Sequence, residues 1–388
     1  MLVQRGYKTE LDPNNKQCVL LTKNAGAARY AYNWALNIKR EAMTKREKIP
    51  NAIELHRRLN ELKQTELGWM YEVSKCSPQE ALRNCDNAFK NFFVKCKKKV
   101  KGKKGFPRFK SKKNGLGSFR LTGTIHVFDH HIQLPRIGKI KLKERGYLPA
   151  DKKILSACVS EKAGRWFVSL QVEEEISPPI NKPQVKVGVD LGIKQLATTS
   201  DCEIFDNPKA LRSNLKKLQR LSRQVSRKVK GSKNRKKAAK KLANLHYKIA
   251  CIRKDAIHKT TTHLTKAKSM IVLEDLCVSG MLKNRKLARA ISDVGLFEFR
   301  RQIGYKGIWY GCDVAYADRW YPSSKRCSQC GAMKADLKLS DRIYKCQSCG
   351  AEMDRDWNAS KNLEAYTVSS SVINAFGERS SGSTLLVR

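Results

Sequence analysis

The chain has 388 residues, 79 Lys plus Arg against 35 Asp plus Glu, a formal net charge of +44 and a pI near 10.0. So large an excess opposes compaction by self-repulsion unless a polyanion neutralises it, and nucleic acid is the polyanion this footprint points to. A 41% hydrophobic content excludes a disordered basic tail, the lack of any apolar run near 18 residues excludes a transmembrane helix, and MLVQRGYKTELDP lacks the apolar stretch of a signal peptide. An anionic membrane surface is the weaker alternative, because neither a basic amphipathic anchor nor a lipidation signal is present. Nine of the 13 cysteines are scattered singly, which fits a reducing, cytoplasmic setting better than a disulfide framework. The length suggests two or three domains.

Residues 1 to about 110 read mainly as helices. Asp12-Pro13-Asn14-Asn15 is a turn opening the first one. Ser77-Pro78 opens another, with Ser77 as N-cap and with Ala81, Cys85, Ala88 and Phe92 at helical spacing. Residues 97–113 hold ten basic and no acidic residues, broken by Gly and Pro, as expected of a loop facing phosphate. Lys97, Lys98, Lys99, Lys103, Lys104, Arg108 and Lys110 are its candidate contacts. Phe92, Phe93 and Phe109 stand near these charges, as base-stacking rings or as core anchors.

From 118 to 175 the pattern changes to short alternating runs. Residues 155–160 and 166–172, joined by Glu161-Lys162-Ala163-Gly164, form an expected hairpin within a small β-domain. A Pro-rich boundary follows at 177–183. Residues 185–190 and 194–200 then read as strand, turn, strand.

Residues 207–254 carry 18 Lys or Arg and no acid. Leu211, Leu215, Leu218, Val225 and Val229 keep a 3-4 spacing, as do Leu242, Leu245, Ile249 and Ile252, with Gly231-Ser232 between the runs. This predicts an antiparallel helical hairpin with one apolar seam. Solvated helices usually interleave acids for i,i+4 support. Their absence favours a polyanion-facing surface, with Arg220, Arg223, Arg227, Lys228, Lys236 and Lys237 as contacts. MIVLEDL at 270–276 is a buried strand. A helix is expected over 286–311 with Leu287, Ile291, Val294, Phe297 and Ile303 inside, followed by a strand at 313–317. The Ser-rich tail from 369 is expected to be loose.

Cys327, Cys330, Cys346 and Cys349 form C-x2-C-x15-C-x2-C. Two residues between cysteines let both sulfurs reach one ion, and four thiolates satisfy tetrahedral Zn²⁺. Gly331 and Gly350 follow each pair and can take the positive φ of a turn at the metal. A closed four-sulfur site is structural rather than catalytic.

Asp190 ends a strand, Glu274 sits in an apolar strand, and Asp354 and Asp356 open a terminal helix. Singly, each has an ordinary role: a turn, a solvent-facing acid, an N-cap. Together they can converge to bind two Mg²⁺, hard cations that prefer oxygen and that serve phosphodiester hydrolysis. Strand alternation puts Glu274 and Asp275 on opposite faces, so only one can serve.

These residues resemble the TnpB family, the OrfB proteins of bacterial insertion sequences, which are RNA-guided DNA nucleases related to type V CRISPR effectors. The matches run in order: Leu11-Asp12-Pro13, Arg29-Tyr30-Ala31-Tyr32-Asn33, Ala88-Phe89-Lys90-Asn91-Phe92-Phe93, Gly105-Phe106-Pro107-Arg108-Phe109-Lys110, Gly188-Val189-Asp190-Leu191-Gly192, the stretch 284–293, Tyr321-Pro322-Ser323-Ser324-Lys325, the cysteine pairs and Asp354-Arg355-Asp356-Trp357-Asn358-Ala359. The resemblance implies a multidomain α+β and α/β chain. A RuvC-like RNase H domain would span 183–325 and 351–368, interrupted by a zinc ribbon at 326–350. A wedge β-domain at 1–10 and 111–182 would be interrupted by a helical recognition lobe at 11–110, with a flexible tail at 369–388.

By motif position the catalytic triad would be Asp190, Glu274 and Asp356, with Asp354 a helix cap or supporting residue. The family also reads a short duplex motif beside its target, for which Lys75 and Gln79 are candidates, Gln being able to pair with adenine. The implied partners are a guide RNA with a structured scaffold, one chain per RNA, and double-stranded target DNA, with structural Zn²⁺, catalytic Mg²⁺ and no membrane. Two rivals are a DDE-type transposase, whose acid order is Asp, Asp, Glu rather than Asp, Glu, Asp, and a silent RNA-guided repressor, which would lack triad carboxylates.

Overall fold

The computed structural model describes residues 2–98, 102, 104–175, 184–338 and 341–366. Lys99, Lys103, the boundary at 177–183 and the tail from 369 lie outside these residues. The chain divides into two units, Met1–Ile176 and Ser177–Arg388.

The first unit opens on a strand, β1 (Leu2–Asp12), ahead of α1 (Asn15–Thr44); it falls where the resemblance put a β-domain, 1–10, and where the residue pattern read mainly as helix. Charged and polar residues dilute its alternation, so the periodicity concealed it. The expected turn at 12–15 does open α1. The Asn14 side chain accepts from the Gln17 amide at 2.9 Å, and the Gln17 side chain accepts from the Asn14 amide at 3.0 Å. A second capping box, Asn51 with Glu54, starts α2 (Ala52–Thr65), a helix the hydrophobic pattern did not reveal.

Helix α3 (Cys76–Lys97) begins one residue before the expected cap. Ser77 is not the N-cap; it is buried, and its hydroxyl donates to Asn24 Oδ1 of α1 at 2.7 Å. Its inner face is Ala81, Leu82, Cys85 and Phe89, with Ala88 and Phe92 half-buried. Phe106 packs edge-on to Phe89 and Phe92 at 5.7 and 5.1 Å, so Phe92 and Phe93 are anchors of this aromatic cluster.

Six more strands follow: β2 (Ser118–Leu121), β3 (His126–Val127), β4 (His131–Leu134), β5 (Gly138–Leu142), β6 (Lys153–Lys162) and β7 (Arg165–Glu175). With β1 they form an antiparallel sheet in the order β2-β6-β7-β1-β5-β4-β3. The expected β6–β7 hairpin closes on Ala163 and Gly164, both at positive φ, which matches the strand twist. One core runs from α1 through α3 to this sheet.

The second unit has a mixed five-stranded sheet, β10-β9-β8-β11-β12. Strands β8 (Lys186–Asp190), β9 (Gln195–Thr199) and β10 (Ile204–Asp206) are antiparallel; β11 (Met270–Glu274) lies parallel to β8 and β12 (Asp313–Ala317). Between β10 and β11 stand the helical hairpin α4 (Ala210–Ser226) and α5 (Lys233–Ala267). Its seam joins Ala210, Leu211, Leu218 and Leu221 to Leu245, Ile249 and Ile252, while Val229 falls beyond α4 and is exposed.

After β11 come α6 (Val278–Met281), α7 (Ala288–Val294) and α8 (Leu296–Tyr310). The single helix expected over 286–311 is broken at Gly295, which is left-handed at φ 80°. Asp293 causes a further constraint there: its buried carboxylate accepts from the Leu211 and Arg212 amides that open α4. The break rotates the pattern, so Leu296 and Phe299 are buried while Phe297 is exposed; Leu287 precedes α7 and is exposed as well. The hairpin β13 (Ile343–Lys345) and β14 (Glu352–Asp354) leads to α9 (Arg355–Ala365), which packs on β8. Among the described residues no helix is long and apolar enough to cross a membrane.

Helices α5 and α8 are joined by a buried lysine. The Lys306 ammonium donates to the hydroxyls of Thr261 and Thr262 at 2.7 and 2.8 Å and to the His258 carbonyl at 3.0 Å. Burial pulls its pKa down to about 8. Because the unfolded chain keeps that proton to about pH 10.4, the folded state gains stability as pH rises from about 8 towards 10. Thermal unfolding should show this rise, and Lys306→Met should flatten it relative to the parent.

Candidate active site and metal centre

Asp190 and Glu274 are the last residues of neighbouring parallel strands. Val189 pairs with Leu273, so the two acids follow as the next residues of the ladder. Asp356 reaches the same end of the sheet from the first turn of α9. Asp354 caps that helix, accepting from the Asp356 and Trp357 amides at 2.8 and 3.2 Å. The three acids meet electrostatically. Burial, then the charges of Glu274 and Asp356, push the Asp190 carboxyl well above the usual range, while Arg355 opposes them. Burial also raises Glu274, against a hydrogen bond from the Ser323 hydroxyl. The Arg355 guanidinium lies 3.2 Å from Asp356.

Asp275 is turned away, as alternation requires. Arg300 and Arg319 grip it at 2.5 and 2.6 Å, and these bonds hold its carboxyl below its ordinary value against the cost of burial.

Three supporting residues were not singled out from sequence. Ser323 lies in the quoted Tyr-Pro-Ser-Ser-Lys stretch, yet nothing in that stretch says that its hydroxyl serves Glu274. Asn358 and Asn362 donate to the Arg326 carbonyl at 2.7 and 2.6 Å, and Asn362 also donates to the Ser323 carbonyl at 2.7 Å. Buried amides at i,i+4 on α9 were the available signal. They tie the acid-bearing helix to the loop that enters the first cysteine pair.

The four cysteine sulfurs converge. All lie within 4.8 Å of one another, and this is the one such group of His, Cys, Asp or Glu among the described residues. Cys327 and Cys349 sulfurs are 3.7 Å apart, and Cys330 and Cys346 are 3.6 Å apart. A regular tetrahedron with Zn–S near 2.3 Å has edges of about 3.8 Å, so the donor set fits zinc. The two knuckles repeat each other: Gly331 donates to the Cys327 carbonyl and Gly350 to that of Cys346, with both glycines at positive φ. The Cys349 and Ser348 amides point at the Cys346 sulfur and hold its thiol down at about 6, while Cys349, against a bond from the Ala351 amide, is pushed up to about 12 by the facing sulfurs. One zinc per chain is the expected elemental analysis; a folded, working chain with substoichiometric zinc contradicts the assignment.

Of the basic candidates, Arg220, Arg223, Arg227, Lys228, Lys236 and Lys237 are exposed on α4, α5 and their connection. None of these six has an acidic partner among the described residues. Arg235 is different, because it donates to the Val225 and Lys228 carbonyls and closes α4. Lys97 and Lys98 are exposed at the end of α3, as are Lys104 and Arg108 beyond it. Lys110 stands 4.0 Å above the Tyr32 ring, and Phe109 is exposed beneath Arg40. Lys75 is exposed and lines a groove of about 1000 Å³ with Asn60, Thr122, Gln133 and Arg136; Gln79 is half-buried in the first turn of α3.

Residues 169–285 match the OrfB family profile of IS605-type elements, described as "Probable transposase", and residues 297–363 match a Cas12f1-like TNB domain. Residues 1–48 match a helix-turn-helix domain, although that stretch holds a strand and one long helix here. The chain is 38% identical over 373 residues to a Streptomyces pristinaespiralis protein named as a candidate RNA-guided DNA endonuclease, covering 95% of this chain and 90% of that one. It is 34% identical over 379 residues to an Escherichia coli K12 protein of like name, InsQ, covering 93% and 92%. A solved structure titled as the mini-RNA-guided endonuclease CRISPR-Cas_phi3 shares the fold, with a TM-score of 0.51, 10% identity and coverage of 98% and 94%.

Proposed function

The chain belongs to the OrfB, or TnpB, family of insertion-sequence proteins, and from that premise we propose that it cuts DNA under the direction of a guide RNA. The observation that carries the reading is the Asp190 carboxyl, pushed up by burial and by Glu274 and Asp356. A carboxylate whose proton affinity is raised by two neighbouring carboxylates marks a place where a divalent cation is held well, because its charge relieves their repulsion. Asp190, Glu274 and Asp356 would hold Mg²⁺, which when bound activates water and stabilises the leaving oxygen of a phosphodiester.

The chain's own residues set the rest. Ser323 fixes Glu274, Arg355 balances Asp356, and Asp354 caps the helix that presents it. An antiparallel half, β10-β9-β8, continued by parallel β11 and β12 supports a RuvC-like RNase H fold. The cysteine knuckles would be the zinc ribbon set into it, and the first unit the wedge sheet with its helical lobe. Sequence reading is delegated to pairing between RNA and one strand of duplex DNA, while basic surfaces hold backbone phosphates. The unpaired cations of α4 and α5 suit that task, as do the exposed Lys97, Lys98, Lys104 and Arg108. Lys75 and Gln79 at the mouth of α3 are the proposed readers of a flanking duplex motif. One chain per RNA is the simplest assembly.

The test is to express the chain with its native flanking DNA, sequence the copurifying RNA, and incubate the complex with matched duplex and Mg²⁺. Cutting that needs both the match and the metal is the expected result. Strand-transfer products would revive the transposase reading, and binding without cutting would favour a repressor.

A further inference from the structure

We propose that Trp320 is the platform on which an unpaired DNA base stacks as its strand enters the acidic site. The inference rests on the nuclease reading above. Trp320 is 85% exposed, more than any other large hydrophobic side chain among the described residues. Exposure alone would mean little, since single apolar side chains on a surface are ordinary.

What distinguishes this ring is its mounting. On one side Arg319 donates to the Asp275 carboxylate at 2.6 Å. On the other, the Ser323 hydroxyl donates to Glu274. The loop therefore stands with a foot on each of two consecutive acids at the end of β11. Ser323 is three positions on from Trp320, so at full extension the Trp320 Cα lies within roughly 11 Å of the serine that touches Glu274.

The loop is also braced along its length. The Trp320 amide donates to Asp318 Oδ1 at 2.8 Å, and the Tyr321 amide to the Asp318 carbonyl at 3.0 Å. Tyr321 donates its hydroxyl to the Asn362 carbonyl at 3.0 Å and packs edge-on to Tyr366 at 4.8 Å. Tyr321, Pro322 and Ser323 turn inward, and the indole is left outside. A braced aromatic face with no partner among the described residues, beside carboxylates suited to a phosphodiester and next to a cationic Arg319, matches a nucleobase. Stacking of this kind tolerates any sequence, as a guide-directed enzyme requires.

The test uses the protein–RNA complex in Ca²⁺ with a single DNA strand carrying 2-aminopurine, and matched duplex in Mg²⁺ for single-turnover cutting. The parent should quench the probe. Trp320→Ala should lose the quench and cut roughly ten- to a hundredfold more slowly, the range expected for one lost base stack, with bound RNA and zinc unchanged. Trp320→Phe should recover most of both readouts and Trp320→Leu neither. Parental quenching by Trp320→Ala, or rescue by Leu as good as by Phe, overturns the proposal. If the parent cuts nothing, the nuclease reading falls alone, and the quench still decides whether Trp320 stacks on DNA.

Discussion

Asp190→Asn should abolish RNA-directed cutting while making the metal-free protein harder to unfold. The two effects have one cause. The Asp190 carboxyl is pushed well above its ordinary value by burial and by Glu274 and Asp356, so carrying its charge costs the folded state free energy. A raised folded value means that stability falls as pH rises from the unfolded carboxyl value to the folded one, and the full penalty is carried above it. Asparagine removes the charge at similar volume. In chelator, its melting temperature should exceed the parent's by roughly 2–4 °C for each kcal/mol relieved. Adding Mg²⁺ should raise the parent and leave the variant nearly unmoved. Cutting should fall on the order of a thousandfold or more, about 4 kcal/mol of transition-state stabilisation lost with a metal ligand. Asp275→Asn, at the residue following Glu274, should have the opposite stability sign, since it strips Arg300 and Arg319 of their shared partner. Full cutting by Asp190→Asn removes the site assignment.

The parts of this molecule legible in its sequence are those fixed by local chemistry. Cysteine spacing anticipates a cluster because ligands two residues apart must share an ion. Strand alternation separates Glu274 from Asp275, and the acid-free leucine pattern yields the α4–α5 hairpin. The failures have physical reasons too. Strand β1 spans Leu2–Asp12 and pairs along nearly its whole length with β7, a partner more than 150 residues away, so no local signal marks it. Ser77 has the right residue type and position for an N-cap, yet a tertiary bond to Asn24 claims its hydroxyl. Gly295 breaks an apparently continuous helix and turns Phe297 outward. The charge that Asp356 exerts on Asp190 also depends on long-range packing, because the two sit 166 positions apart and Asp356 is delivered by a helix whose seat is a glycine.

That seat gives the second large effect. Gly188→Ala should cost both stability and activity, although alanine there adds a single methyl group. Gly188 lies inside β8, and α9 crosses it so closely that a Cβ would stand 1.9 Å from the Ser360 carbonyl oxygen, 2.4 Å from the Glu364 nitrogen and 2.9 Å from Leu363 Cβ. Two of these neighbours are helix backbone, which cannot swing aside as a side chain tip can. The helix must lift as a body. Overpacking of this kind costs about 1–3 kcal/mol and sometimes more, and lifting α9 also strains the Asn358 and Asn362 bonds to the loop at 323–326. Asp356 leaves with the helix, so cutting should fall roughly a hundredfold even below the variant's melting temperature, since misplacement by an ångström is enough. The first cysteine knuckle should loosen with the helix, because the Ser328 amide donates to Asn358 Oδ1 at 2.9 Å. Gly26→Ala is the matched control: nothing lies within 4 Å of its Cβ inside α1, so it should stabilise by about 0.5–1 kcal/mol. If Gly188→Ala melts and cuts like the parent, α9 does not rest on β8 as described, and Asp356 is not held at one site with Asp190.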